Sequence, residues 1–101
     1  MGTYAITWRD RHGPVYAGKL ELVPDGIRLE GGSRSGRRFS VVKLRFEDVD
    51  GVEMATTRDR VNKQPTLELT IRGGSLYIAP SGAGVAREVL ELLRPGAGGW
   101  R

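Results

Sequence analysis

Residues 18–31 read Gly-Lys-Leu-Glu-Leu-Val-Pro-Asp-Gly-Ile-Arg-Leu-Glu-Gly, and this stretch decides the fold class. Apolar residues recur at every second position on both sides of Pro24 and Asp25, which is the period of a half-buried strand rather than of a helix. Pro-Asp-Gly between two such runs is typical of a tight turn. The stretch therefore predicts an antiparallel β-hairpin.

The register of this hairpin follows from its apolar face. If Leu22 faces Ile27, then Leu20 faces Leu29, because successive side chains alternate between the two faces of a strand. The same register sets two opposite-charge pairs on the outer face: Glu21 with Arg28 and Lys19 with Glu30. Each pair contributes only ~0.2–1 kcal/mol, so the pairs indicate the register more than they stabilise the fold.

Outward from the hairpin, the two-residue period continues through most of the chain. It predicts further strands at Thr3–Arg9, Arg37–Phe46, Gly51–Thr57, Leu67–Arg72 and Leu76–Ile78, with Val52 and Met54 facing inward and a polar loop at 58–65. Gly73 and Gly74 are expected to form a two-residue turn, since glycine adopts positive φ without strain. This turn would place Arg72 opposite Ser75.

Only the last segment has helical spacing. Its apolar positions recur three and four residues apart, which predicts an amphipathic helix; they are Ala86, Val89, Leu90 and Leu93. The helix is expected to begin after Pro80 with Ser81 as its cap, and to stop at Pro95. We therefore predict one domain at residues 1–95 and a flexible glycine-rich tail at 96–101, which carries Trp100.

Length and composition bound the class of protein. A chain of 101 residues is the size of a single domain. It has no cysteine, so neither a disulfide framework nor a thiolate zinc site is expected. The start of the chain lacks the basic and apolar regions of a secretory signal, which favours a cytoplasmic location. The net charge of +4 comes mostly from arginine, and the richness in arginine and glycine suggests a bacterial source.

The order of seven strands and one C-terminal helix resembles the pleckstrin-homology-like superfold. Two segments, Leu22–Leu29 and Phe46–Val52, look like bacterial PH and GRAM-type sequences, and the resemblance covers roughly Tyr4 to Leu93. It implies a mostly β barrel or sandwich of about seven antiparallel strands, capped by the helix. It also implies headgroup contacts near the first hairpin loop, where a weaker basic set lies: Arg9, Arg11 and Lys19.

Residues with catalytic chemistry are few. His12 is the single histidine and lies in a polar turn, while a metal site needs three or four converging ligands. The acidic cluster at 47–50 lacks the regular ligand spacing of a calcium loop. Residues 81–84 could present backbone donors to an anion, but the lysine of a phosphate-binding loop is absent. We expect a protein that is not an enzyme and has no cofactor or metal.

The most unusual local feature is residues 33–46, which contain five basic residues and no acidic residue. Phe39 and Val41 are expected to share a strand face with three cations, so a basic surface with exposed apolar residues is predicted. The three cations are Arg37, Lys43 and Arg45. The alternative is a solvated outer face on which arginine stems cover apolar neighbours. The candidate anion- or partner-binding residues are Arg34, Arg37, Arg38, Phe39, Lys43 and Arg45.

Three functions remain open at this point. The first is a non-catalytic module that binds a protein partner or itself, because edge strands can pair with another chain. The second is recruitment to anionic membrane lipid through the basic strand. The third is nucleic-acid binding, which the sequence favours least because one aromatic residue among the basic ones makes no stacking platform. No segment is long enough to cross a membrane.

Overall fold

The computed structural model describes residues 2–82 and 84–93. Its elements are β1 (Thr3–Asp10), β2 (Tyr16–Val23), β3 (Gly26–Ser33), β4 (Phe39–Arg45), β5 (Val49–Met54), β6 (Leu67–Ile71), β7 (Gly74–Pro80) and α1 (Val85–Leu93). All strand pairs are antiparallel, in the order β4-β3-β2-β1-β7-β6-β5. The predicted mostly β fold with one C-terminal helix is confirmed. The predicted stop at Pro95, the tail at 96–101 and Trp100 lie outside the described residues.

The β2–β3 hairpin has the predicted register. Leu22 pairs with Ile27 and Leu20 with Leu29. On the outer face, Arg28 Nη1 lies 2.7 Å from a Glu30 carboxylate oxygen and 3.4 Å from one of Glu21. Lys19 Nζ lies 3.3 Å from the same Glu30 oxygen. The four charges therefore form one continuous network across the two strands.

The β6–β7 turn differs from its prediction. Ile71 pairs with Gly74, so the turn residues are Arg72 and Gly73, and the predicted pairing of Arg72 with Ser75 is wrong by two residues. Gly73 alone of the two turn residues has positive φ, at 87°. Gly74 already belongs to β7. Because a shift of two residues preserves side-chain alternation, Leu69 and Leu76 still face the core.

The sheet curls into a half-barrel around one core, and α1 packs against β5 and β7. The predicted apolar face of the helix is confirmed, since Ala86, Val89, Leu90 and Leu93 are all buried. The helix begins at Val85, four residues after Ser81, and the Ser81 N–H donates to the Ala5 carbonyl. Ser81 is therefore part of the strand-to-helix connection and not the first-turn cap that its position suggested.

One predicted core residue lies outside the core. Met54 is 43% exposed, although the period of β5 placed it inward with Val52. β5 is the last strand of the sheet, so no further strand covers the end where Met54 lies. The side chain consequently stays in contact with solvent.

A second, smaller apolar cluster covers part of the outer face. The connection between β5 and β6 folds back over β7, so Ala55 and Val61 pack on Tyr77 and Ala79. The buried Thr66 hydroxyl holds this connection by accepting the Val61 N–H at 2.9 Å and donating to the Gln64 carbonyl at 2.8 Å. Residues 58–65 were predicted as a plain polar loop. The outer face is thus covered at β7 and open at β4.

Candidate functional site

β4 is an edge strand with its outer face in solvent. It pairs with β3 on one side, and no described strand pairs with its other side. Of the predicted outward side chains, Arg37 lies in the loop before β4, whereas Phe39 and Val41 lie on β4 and are 68% and 43% exposed. Lys43 and Arg45 continue the same row and are also exposed. The strand therefore presents two apolar side chains followed by two cations.

Two hydrogen bonds fix which backbone groups of β4 are unpaired. The Ser33 N–H donates to the Arg38 carbonyl, and the Phe46 N–H donates to the Asp25 carbonyl. In an antiparallel pair such bonded residues alternate with residues whose N–H and C=O point away. Phe39, Val41 and Lys43 therefore direct their main-chain groups outward from the sheet.

The main-chain groups of Arg45 also point away from β3, but Arg45 is where the unpaired edge of β4 ends. Its outward N–H donates to Asp48 Oδ2 at 3.2 Å, so the short turn after β4 occupies this donor. The Arg45 guanidinium lies 3.4 Å from Glu47, with both side chains 71% exposed, and such a solvated pair adds little stability. The available edge is thus three alternate residues long, from Phe39 to Lys43.

The basic residues predicted as one surface fall into two groups. The exposed β3–β4 loop contains Arg34, Arg37 and Arg38. Arg45 ends β4, roughly 23 Å from Arg38 at about 3.3 Å per residue. Lys43 and Arg45 instead line a cleft of about 470 Å³ with Arg28, near Asp25 and Asp48. The structure therefore separates the predicted basic strand into a loop group and a strand group.

The β3–β4 loop lies at the same end of the sheet as the β1–β2 loop. A cleft of about 580 Å³ between them is lined by Pro14 and Val15 on one side and by Arg34 and Ser35 on the other. Arg11 is exposed in the β1–β2 loop. We call Arg11, Arg34, Arg37 and Arg38 the loop-end cations.

Two of the weaker candidates have structural partners. The Arg9 guanidinium stacks 4.4 Å from the centre of the Tyr77 ring and donates to the Asp59 carbonyl at 3.3 Å. Lys19 is held by Glu30. Within the described residues, the structure shows no ion pair for Arg11, so it is the most available of the three weaker candidates.

His12 takes part in a turn. Its backbone N–H and that of Gly13 both donate to Asp10 Oδ1. Among residues 2–82 and 84–93, no three His, Cys, Asp or Glu side chains gather where they could hold one metal ion. One polar group that the sequence did not mark lines the loop-end cleft: Thr7, whose buried Oγ1 has no hydrogen-bond partner there.

The Arg28 guanidinium lowers the pKa of Glu30, with Lys19 adding to the effect. A carboxyl group whose folded pKa lies below its ordinary value of 4.5 stabilises the fold above that pH. This stability is lost as the pH falls through and below 4.5. Glu30 thereby links the charge network to acid sensitivity.

We expect the variant Glu30→Gln to be less acid-sensitive than the native chain. Urea unfolding near neutral pH and at about pH 3.5 measures the loss of stability on acidification, and that loss should be smaller in the variant because one linked proton is removed. Equal losses in the two proteins would show that Glu30 does not titrate at a lowered pKa.

The fold is similar to two solved structures. One is the C-terminal domain of an unknown protein from Leishmania infantum, with a TM-score of 0.66, 8% identity, and coverage of 92% of this chain and 81% of that chain. The other is the pleckstrin homology domain of USP37, with a TM-score of 0.53, 18% identity, and coverage of 90% and 89%. This chain has a pleckstrin-homology-like fold. No family model and no curated protein matches it.

At 8% and 18% identity, the likeness concerns the PH-like fold alone. The architecture of this chain agrees with it, since a curled antiparallel sheet capped by a C-terminal helix fits a PH-like fold. Within the described residues, none of the helical structure has the length and hydropathy needed to cross a bilayer. The function has to be argued from the surfaces that this chain presents.

Proposed function

We propose that this PH-like chain is a non-catalytic module that binds a protein partner, another protein or a second copy, through the open edge of β4. The main support is that Phe39, Val41 and Lys43 have both exposed side chains and main-chain groups that point away from the sheet. Extended peptides add to exposed sheet edges by main-chain hydrogen bonds, and alternate side chains then give specificity. The predicted cytoplasmic setting remains part of this proposal.

The other edge of the sheet offers a contrast. β5 is interrupted by a register shift between Val49 and Gly51, and bulges of this kind protect edges against pairing. β4 pairs with β3 without a shift from Gly26 to Gly32. A regular edge with an exposed aromatic residue is the better template for an added strand.

A displayed library of random peptides of about 12 residues, selected on the immobilised protein, tests this function. We expect enrichment of extended peptides that is lost in Val41→Asp and kept in Met54→Asp. The two side chains are both 43% exposed but lie on opposite edges, so the second variant is a matched control. Absence of any enriched peptide, together with a strictly monomeric mass in light scattering, would refute the proposal.

Recruitment to anionic membranes is the second candidate, and the loop-end cations favour it. These side chains project from two loops at one end of the barrel, where they could meet a charged surface together. Binding to phosphatidylserine vesicles should then weaken between about 50 and 300 mM salt and should fail with neutral vesicles. Nucleic-acid binding ranks third, because Phe39 is the one exposed aromatic residue among those described and a single ring does not make a stacking platform.

A further inference from the structure

The exposed side chains along β4 are arranged with apolar residues in the middle and cations at the ends. The middle of this row is apolar, at Phe39 and Val41. Lys43 follows Val41 on the same face, and Arg37 precedes Phe39 in the adjoining loop. Glu30, which lies beside Val41 on β3, is already neutralised by Arg28 and Lys19. The row therefore has a cation at each end, Arg37 at one and Lys43 at the other.

We propose that the β4 edge takes an extended acidic segment of a partner protein, with two apolar residues at alternate positions and an Asp or Glu two residues beyond each end. This inference rests on the proposed function and names the partner's chemistry. The segment would add as an eighth strand, with its main chain bonded to Phe39, Val41 and Lys43. Its apolar side chains would lie beside Phe39 and Val41, and its carboxylates beside Lys43 and Arg37.

Charge argues against a second copy as the occupant. In the two-fold antiparallel pairing that best matches the apolar residues, Phe39 of each copy faces Val41 of the other. That register also places Arg37 of each copy opposite Lys43 of the other, so the like-charge pair occurs twice. Centring the pair on Val41 instead brings Arg37 opposite Arg45. Like charges directly opposite each other destabilise a strand pair, whereas opposite charges stabilise it.

The pattern of the segment is acidic-x-apolar-x-apolar-x-acidic, which is the same in both chain directions. The segment can therefore add to β4 either parallel or antiparallel. The cation that remains near the end of the row, Arg45, has its N–H bonded to Asp48. This bond limits main-chain pairing to the three alternate residues Phe39, Val41 and Lys43. A segment of about seven residues is therefore sufficient.

A peptide pair tests the charge requirement. The probe is Ser-Glu-Thr-Val-Thr-Ile-Thr-Glu-Ser, and its control has lysine in place of both glutamates. Fluorescence anisotropy should show the acidic peptide binding at least about tenfold more tightly at low salt, because two opposite-charge contacts become two like-charge contacts. The variant Lys43→Glu should reduce this preference. Equal binding of the two peptides would overturn the inference and leave the proposed function standing.

A proline substitution tests the main-chain bond. The Val41 N–H points away from β3, so Val41→Pro removes the donor without breaking the sheet, as edge positions allow. We expect at least about tenfold weaker binding of the acidic peptide, against a change within about threefold for Val41→Thr, which keeps the donor. Far-ultraviolet circular dichroism confirms that both variants are folded. Undiminished binding to Val41→Pro would overturn strand addition.

Light scattering on the same samples separates the remaining outcomes. A monomer that binds the acidic peptide supports the inference. A dimer that dissociates in Val41→Pro would overturn it in favour of a second copy, while the proposed function would stand. A monomer that binds neither this peptide nor any library peptide would refute both.

Discussion

The variant Trp8→Ala is expected to lose about 3–5 kcal/mol of unfolding free energy, the usual range for deleting a large buried aromatic side chain. Trp8 is 2% exposed, and its ring stacks on that of Tyr16 with 4.8 Å between centroids. Its indole N–H donates to the Glu30 carbonyl at 3.2 Å. One side chain thus ties β1 to both β2 and β3, and urea unfolding monitored by circular dichroism measures the loss.

Trp8→Phe is the control for this prediction. It keeps an aromatic ring against Tyr16 but removes the indole donor, so we expect a smaller loss than for alanine. An alanine variant that loses less than about 1 kcal/mol would show that Trp8 does not join the three strands as described.

Gly18→Ala is expected to destabilise the fold by about 1–3 kcal/mol or more, the cost of overpacking a closed site. Gly18 faces Gly31 across the β2–β3 hairpin. A methyl group on it would overlap the Glu30 carbonyl, which is backbone and cannot rotate aside. That carbonyl also accepts the Trp8 indole N–H, so the strand cannot move away without loosening this hydrogen bond. Thermal or urea unfolding checks the effect.

Gly74→Ala is the matched control, because Gly74 is also a strand glycine without positive φ, and no atom lies within 4 Å of the position that an alanine methyl group would take. Its unfolding free energy should stay within about 0.5 kcal/mol of the native value. Similar losses in the two variants would mean that the cost at Gly18 is a general glycine effect and not a local collision.

The pairing of β2 with β3 could be predicted from sequence because two independent patterns agree there. Apolar alternation and opposite charges select the same register for the pair Leu22 and Ile27. At the β6–β7 turn only one pattern is present. Two adjacent glycines satisfy the turn chemistry equally well, and alternation is unchanged by a shift of two residues, so the sequence could not distinguish Gly73 from Gly74.

Residues that owe their position to distant contacts were less predictable. Val61 lies among polar neighbours and has no periodic signal, yet it is 1% exposed because its loop folds over β7. Met54 fits the strand period but lies at a sheet edge, where that period does not ensure burial. Both outcomes depend on the order of strands in the sheet, which local alternation does not determine.

The candidate site was partly visible in the sequence. Alternation placed Phe39 and Val41 on one face with Lys43, as the structure has them. Two features required the three-dimensional fold: the outward phase of the main-chain groups, and the start of β4 at Phe39, which leaves Arg37 and Arg38 in the preceding loop. Arg9 was grouped with the other cations because sequence alone could not show Tyr77 beneath its guanidinium.

The most direct measurement is residue-specific amide hydrogen exchange along β4, with and without the acidic peptide. In the free protein, Val42 and Leu44 should exchange slowly because they bond to β3, whereas Phe39, Val41 and Lys43 should exchange fast. Addition of the peptide should slow those three amides and change the other two little. Unchanged exchange at Val41, or new protection confined to the β5 edge near Met54, would contradict binding at β4.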